Sequence, residues 1–195
     1  ASPAATTMEN ALVAELSRLI GWAEGAGDGI FTPGGTYSNW LALLCARYRR
    51  DPSVKKRGIP AGPRWAVFAS DQAHYSLDVA ANLLGLGTDH AVRVASDDQG
   101  RMRPDALADA LREAQASGLD PLLVLATSGT TVTGSFDPLR ACRALADEHQ
   151  AWLHVDGAFG GCALLSPKRA ALLDGVADAD SVTWDFHKVL SAPIP

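Results

Sequence analysis

Lys188 directly follows His187, just past the β-like run at 181–184. A lysine acts as a nucleophile only after losing its proton, which nearby positive charge or an apolar setting promotes. His187 and the apolar stretch VLSAPIP at 189–195 are compatible with such a setting. Three other polar groups stand at comparable places. Asp156 closes the run WLHV at 152–155, SDQAH ending in His74 follows RWAVFAS at 64–70, and Thr127 to Thr131 end and follow PLLVLAT at 121–127. The loop GIFTPGGTYSN at 29–39 supplies a fifth feature. Gly34 and Gly35 let backbone amides approach an oxyanion, and Thr36 and Ser38 sit where a following helix exposes free N–H groups, a combination that favours phosphate. Neither a GxxxxGK[ST] loop nor a GxGxxG fingerprint occurs, so the nucleotide motifs fail.

Each residue also has an ordinary reading. The loop could be a plain glycine turn with Thr36 as N-cap, Lys188 a solvated charge, Asp156 a cap for the next turn, and His74 a satisfied core histidine. Taken together they point elsewhere. An anion cradle, a flat-faced histidine, a strand-end carboxylate and a lysine are the parts that pyridoxal phosphate needs from a protein: a phosphate site, a stacking partner, a partner for the pyridinium nitrogen and a Schiff-base amine.

Such groups must be carried by elements that bring distant positions to one edge. Leu12, Leu16, Leu19 and Ile20 recur at helical spacing until Gly21, and 36–50 reads as a helix with its basic residues at the C-terminal end. The stretch 51–63 reads as a solvated loop from its Pro, Gly and charge content. Strands at 64–70, 91–96, 121–127, 152–155 and 181–184 then alternate with helices at 76–86, 104–116, 138–149 and 168–173. This alternation predicts right-handed crossovers and a mostly parallel α/β sheet flanked by helices, with ligands gathering at the carboxyl ends of the strands.

The 195 residues are 47% hydrophobic, enough for one domain with a buried core. A net charge of -5 and a single short basic run, Lys55-Lys56-Arg57, argue against nucleic-acid binding. No run approaches about 18 apolar residues, so no membrane association is expected. The three cysteines, Cys45, Cys142 and Cys162, lie far apart without CxxC spacing, which suits a reducing, cytoplasmic compartment. His154 and Asp156 face one side of a strand, but no third ligand is evident, so no metal site is expected.

The same residues carry a family resemblance. GIFTPGGTYSN, SDQAHYS, ATSGTTVTGSFDPL, WLHVDGAFGG and ADSVTWDFHK, in that order from about Gly21 to Lys188, resemble the blocks of the group II pyridoxal-phosphate-dependent amino-acid decarboxylases. Their wording is similar to the glutamate and cysteine-sulfinate branch. The resemblance implies a fold-type-I large domain, with 1–195 a partial cofactor-binding domain that lacks the small C-terminal domain. It implies Lys188 as the Schiff-base lysine, His74 as the histidine stacked on the ring, and Asp156 as the partner of the ring nitrogen. Ala158 matches the small residue on the ring's other face, Gly35 and Thr36 the phosphate-binding positions with His187 in place to help, and Thr131 the threonine near the phenolic oxygen. It further implies decarboxylation of an L-amino acid, an acidic one favoured, in a homodimer. Three positions depart from the common pattern: Asp185 and Phe186 stand where Asn and Pro are usual, and Gly157 replaces an alanine. Asp185 is left out of the binding set because a carboxylate repels phosphate. Another fold-type-I reaction, an aminotransferase or a lyase, and a non-catalytic binding or dimer partner are the alternatives. The chain starts at Ala1 and ends seven residues after Lys188, which reads as a piece of something longer, inactive by itself.

Overall fold

The computed structural model describes residues 2–59 and 64–193. Positions 60–63 of the 51–63 linker and the last two residues of the apolar stretch lie outside the described residues.

Helix α1 (Pro3–Ile20) starts as its sequence dictates, with Ser2 accepting the Ala5 N–H and a proline in the first turn. It stops where Gly21 takes a left-handed φ of 98° and returns its N–H to the last carbonyls. Helix α2 (Gly35–Arg50) places three arginines in its last turn. A short helix, α3 (Val54–Arg57), interrupts the linker because Val54 finds burial against the core. To that extent the expectation of a solvated loop is corrected.

The strands β1 (Trp65–Ser70), β2 (Ala91–Val94), β3 (Asp120–Thr127), β4 (Trp152–Asp156) and β5 (Ser181–Thr183) form one sheet in the order β2-β1-β3-β4-β5, and every pairing is parallel. Helices α4 (Ser76–Leu83), α5 (Pro104–Ala116) and α6 (Leu139–Glu148) fall in the crossovers. The helix predicted at 168–173 contracts to a 3-10 turn at Ala170–Leu173, and a 3-10 segment at Gly160–Leu165 was not read from the sequence.

Burial on both faces explains why β1 and β3 read as continuous apolar runs rather than alternating ones. Val67, Ala69, Leu123 and Leu125 pack with α2 and α4 on one face. Phe68, Val124, Leu153 and Val155 pack with α5 and α6 on the other. The strand order reverses direction between β1 and β3, so their carboxyl ends flank the crevice where open parallel sheets bind ligands.

Candidate active site

At that edge a cavity of about 260 Å³ is lined by all eight residues singled out above: Gly35, Thr36, His74, Thr131, Asp156, Ala158, His187 and Lys188. They come from the N-terminus of α2 and the exits of β1, β3, β4 and β5. Residues up to 153 positions apart in sequence therefore share one wall.

One end of the cavity is built by backbone. Gly34 caps α2 with a φ of 146°, a conformation that disfavours side chains, and Gly35 opens the helix. Thr36 is therefore inside the first turn and not its cap. Among the described residues the Gly35 and Thr36 N–H groups have no acceptor within the chain, leaving two donors at the positive end of the helix dipole. A Cβ on Gly35 would come within 2.9 Å of an Asp185 carboxylate oxygen, so a side chain here would have to displace that carboxylate.

Asp185 itself is a residue the sequence reading set aside. It lines the cavity, is only 8% exposed, and places Oδ2 3.3 Å from Lys188 Nζ and 3.8 Å from His187 Nε2. The lysine's nearest charged neighbour is thus a carboxylate. The apolar setting expected after Lys188 does not enclose it, since Val189 and Leu190 stay exposed and the Lys188 side chain is 38% exposed. Phe186, where proline is usual, packs at 6.0 Å from Phe31 and 5.8 Å from Trp184, ring centre to ring centre, and ties the β5 exit to the loop that precedes α2.

His74 is half-buried at the cavity wall, which removes the core-histidine reading. Its Nδ1 accepts the Ser76 N–H at 3.2 Å, leaving Nε2 free to donate. Asp156 takes up its capping reading at one oxygen, Oδ1 accepting the Ala158 N–H at 3.1 Å, while Oδ2 accepts from Asn39 Nδ2 at 2.7 Å.

Asn39 was missed. It is 2% exposed and uses its whole amide: Nδ2 donates to Asp156 and to Ser76 Oγ (2.9 Å), while Oδ1 accepts from Thr183 Oγ1 and pairs with His154 Nε2 (both 2.9 Å). Only its place one turn after Gly35, on the helix face that meets the sheet, could have pointed to it. His154 faces the same side of β4 as Asp156, and both its ring nitrogens are engaged, Nδ1 with Ser181 Oγ at 2.8 Å. Complete burial pushes this imidazole down to about 4 against the pull of the Asp156 carboxylate. Among the described residues no group of three or more His, Cys, Asp or Glu could hold a metal ion.

The residues present fit pyridoxal phosphate: two free N–H donors and a side-chain-free glycine at one end, a buried carboxylate deep in the cavity, and a lysine at the rim. A parallel five-stranded sheet, covered on both faces, with these groups at its carboxyl edge, is the fold-type-I architecture of pyridoxal phosphate enzymes. The chain belongs to the pyridoxal-dependent decarboxylase family, whose conserved domain matches residues 1–194. It is 47% identical over 191 residues to cysteine sulfinic acid decarboxylase of Homo sapiens, covering 98% of this chain and 38% of that protein. It is 45% identical over 193 residues to the acidic amino acid decarboxylase of Homo sapiens, covering 99% and 37%. Among solved structures, mouse CSAD superposes with a TM-score of 0.96 at 46% identity, over 99% of this chain and 40% of that one. Oryza sativa TDC with PLP gives 0.87 at 28% identity, over 100% and 43%. The chain thus spans under two fifths of the length of these curated relatives.

Proposed function

We propose that the protein to which these residues belong decarboxylates an acidic L-amino acid with pyridoxal phosphate, and that residues 1–195 are part of its cofactor-binding large domain. The observation that carries this reading is the meeting, in one cavity, of Lys188, Asp156 and His74 with the free N–H groups that open α2.

When bound, pyridoxal phosphate supplies an electron sink for the pair left behind as the α-carboxylate departs. The residues of this chain do the rest. Gly35 and Thr36 would hold the phosphate with backbone donors, helped by His187 of the same cavity. Lys188 is the amine that would hold the cofactor covalently at the rim of the cavity. His74, with Nε2 free to donate, and Ala158 would flank the ring, and Thr131 would offer its hydroxyl to the phenolic oxygen. Asp156, held as an acceptor at both oxygens, would accept a hydrogen bond from the protonated ring nitrogen and so favour positive charge at the end of the ring where electrons arrive, a preorganised electrostatic stabilisation.

The preference for an acidic substrate is supported by the names of the relatives, a cysteine sulfinic acid and an acidic amino acid decarboxylase. A homodimer in the cytoplasm completes the proposal. Free cysteines accord with a reducing compartment, and no described helix is long and apolar enough to cross a membrane. The test is carbon dioxide release from the protein expressed at the full length of its gene, loaded with pyridoxal phosphate and offered acidic, aromatic and basic amino acids. Release from glutamate, aspartate or cysteine sulfinate is expected. A keto acid product without carbon dioxide would overturn the reaction, and a preference for an aromatic or basic substrate would overturn the specificity.

A further inference from the structure

The hydrogen bonds behind Asp156 run in one direction. Trp152 Nε1 can only donate, and it donates to Ser181 Oγ at 2.7 Å. The Ser181 hydroxyl proton is then free for His154 Nδ1 at 2.8 Å, which leaves the single proton of the neutral ring on Nε2. Nε2 donates to Asn39 Oδ1 at 2.9 Å, and the Thr183 hydroxyl donates to the same oxygen. With Oδ1 filled by two donors, the amide cannot turn over, and Nδ2 must face Asp156 Oδ2 at 2.7 Å. The other Asp156 oxygen already accepts from the Ala158 N–H.

We propose that Asn39 and His154 are positioning residues: they end a one-way hydrogen-bond chain that presents Asp156 to the cavity as an acceptor at both oxygens, so that only a partner bringing its own proton can dock there. This rests on the pyridoxal phosphate reading, in which that partner is the protonated ring nitrogen. Low exposure supports it, since Asn39 is 2%, His154 1% and Thr183 2% exposed, and water has little opportunity to break the order. The depressed imidazole, held down to about 4 by burial, keeps one ring proton and therefore one direction. Asn39 also ties this chain to the second cofactor contact. Its Nδ2 donates to Ser76 Oγ, and the Ser76 N–H holds His74 Nδ1. One amide on α2 thereby sets the carboxylate at the ring edge and the histidine at the ring face.

The experiment uses the protein at the full length of its gene. First, ¹⁵N spectra without cofactor should show His154 with its proton on Nε2 and a neutral ring from about pH 8 to about pH 5. A proton on Nδ1, or titration near 6.5, overturns the inference whatever the cofactor does. Second, pyridoxal phosphate affinity and the visible band of the bound cofactor are compared in His154→Phe, His154→Gln and Asn39→Leu. Leaving a buried donor or acceptor unpaired corresponds to about tenfold or more in affinity. The Phe and Leu variants should lose that much and shift the band, whereas Gln, whose amide replaces the Nε2 donor, should restore both. A folded Phe variant that matches the parent in affinity and band, or a Gln variant no better than Phe, overturns it. If Asn39→Leu fails to fold, the Phe and Gln pair decides. A parent that takes up no cofactor overturns the proposed function instead, and the spectra of His154 still judge the chain.

Discussion

Lys188 Nζ and Asp185 Oδ2 lie 3.3 Å apart at the rim of the cavity, and the same carboxylate fills the space that a Cβ on Gly35 would need. The lysine and the α2 N-terminus are thus held around one buried negative charge, at the end of the cavity where the free backbone donors invite a phosphate. Both residues of the pair make separate predictions.

Lys188→Ala should abolish the visible band of bound cofactor and the adduct trapped by borohydride reduction. Mass mapping of the trapped parent checks the assignment directly. An adduct on any other lysine would remove Lys188 from the anchoring role.

Asp185→Asn should tighten pyridoxal phosphate binding. The carboxylate is buried beside the proposed phosphate site, and in a low-dielectric setting like charges repel over several ångströms. Up to about a tenfold gain is expected, read by equilibrium dialysis with inorganic phosphate as competitor. Weaker binding in the Asn variant would mean that the carboxylate contributes to holding the cofactor through Lys188 or His187, and the repulsion reading would fall.

Asp156→Asn should still form the covalent adduct on Lys188 when cofactor is saturating, at an affinity reduced at least as much as in His154→Phe, and should lose most of the rate, with a loss of stability as well. Asp156 accepts two hydrogen bonds, from Asn39 Nδ2 and from the Ala158 N–H, on different oxygens. An asparagine offers one oxygen, so one of those buried donors is left facing an NH₂ group, at a cost of about 1–3 kcal/mol. Urea unfolding beside turnover checks both parts. Unchanged turnover would exclude Asp156 from the chemistry.

Gly157, where the resemblance leads one to expect alanine, has a packing explanation. A Cβ there would lie 3.0 Å from the Thr183 carbonyl oxygen and 3.4 Å from Gly161 Cα, and the Gly157 N–H donates to that same carbonyl. Gly157→Ala should therefore cost roughly 1 kcal/mol through overpacking, seen as a lower Tm, with cofactor affinity little changed. A rise in Tm would show that the β5 exit yields without strain.

The strands and their exits were legible because burial on both faces writes itself as unbroken apolar runs such as 64–70 and 121–127, and because polar groups just past such runs stand out. All eight site positions share one cavity for that reason. What stayed hidden depends on pairings across the sheet. Asn39 looks like any polar residue on a helix until α2 is laid over β4 and β5. The order Trp152, Ser181, His154 exists only through the register that sets His154 opposite Ser181. Asp185 was judged by charge alone, and its neighbours Gly35 and Lys188 become visible only when the chain is folded. The 3-10 segment at Gly160–Leu165 has no periodicity to betray it, since its glycines are fixed by contact with Ser128 and Trp184 rather than by local preference.

His154 gives the stability of the protein a pH dependence whose sign can be worked out. Its folded-state value is pushed down to about 4 by burial, with Asp156 pulling the other way, while an unfolded chain titrates near 6.5. Between those values the unfolded state binds the proton and the folded state does not, so stability falls as the solution is made more acid. The contribution is fully present above 6.5 and is lost as the pH drops towards 4, at up to about 1.4 kcal/mol per pH unit and about 3 kcal/mol in all. Asp137 opposes it. Burial raises this carboxyl to about 6 although it accepts the Met102 and Thr127 N–H groups, so its protonation favours the folded state between about 3.8 and 6. The two groups mask each other in the parent, which makes the comparison with His154→Gln the informative one, because glutamine does not titrate. Urea unfolding at about pH 7, 5.5 and 4.5 should show the parent losing stability relative to the Gln variant at each step down. A difference that stays constant across that range would mean that His154 takes up its proton in the fold as readily as in the unfolded chain, and the direction of the hydrogen-bond chain to Asp156 would fail with it.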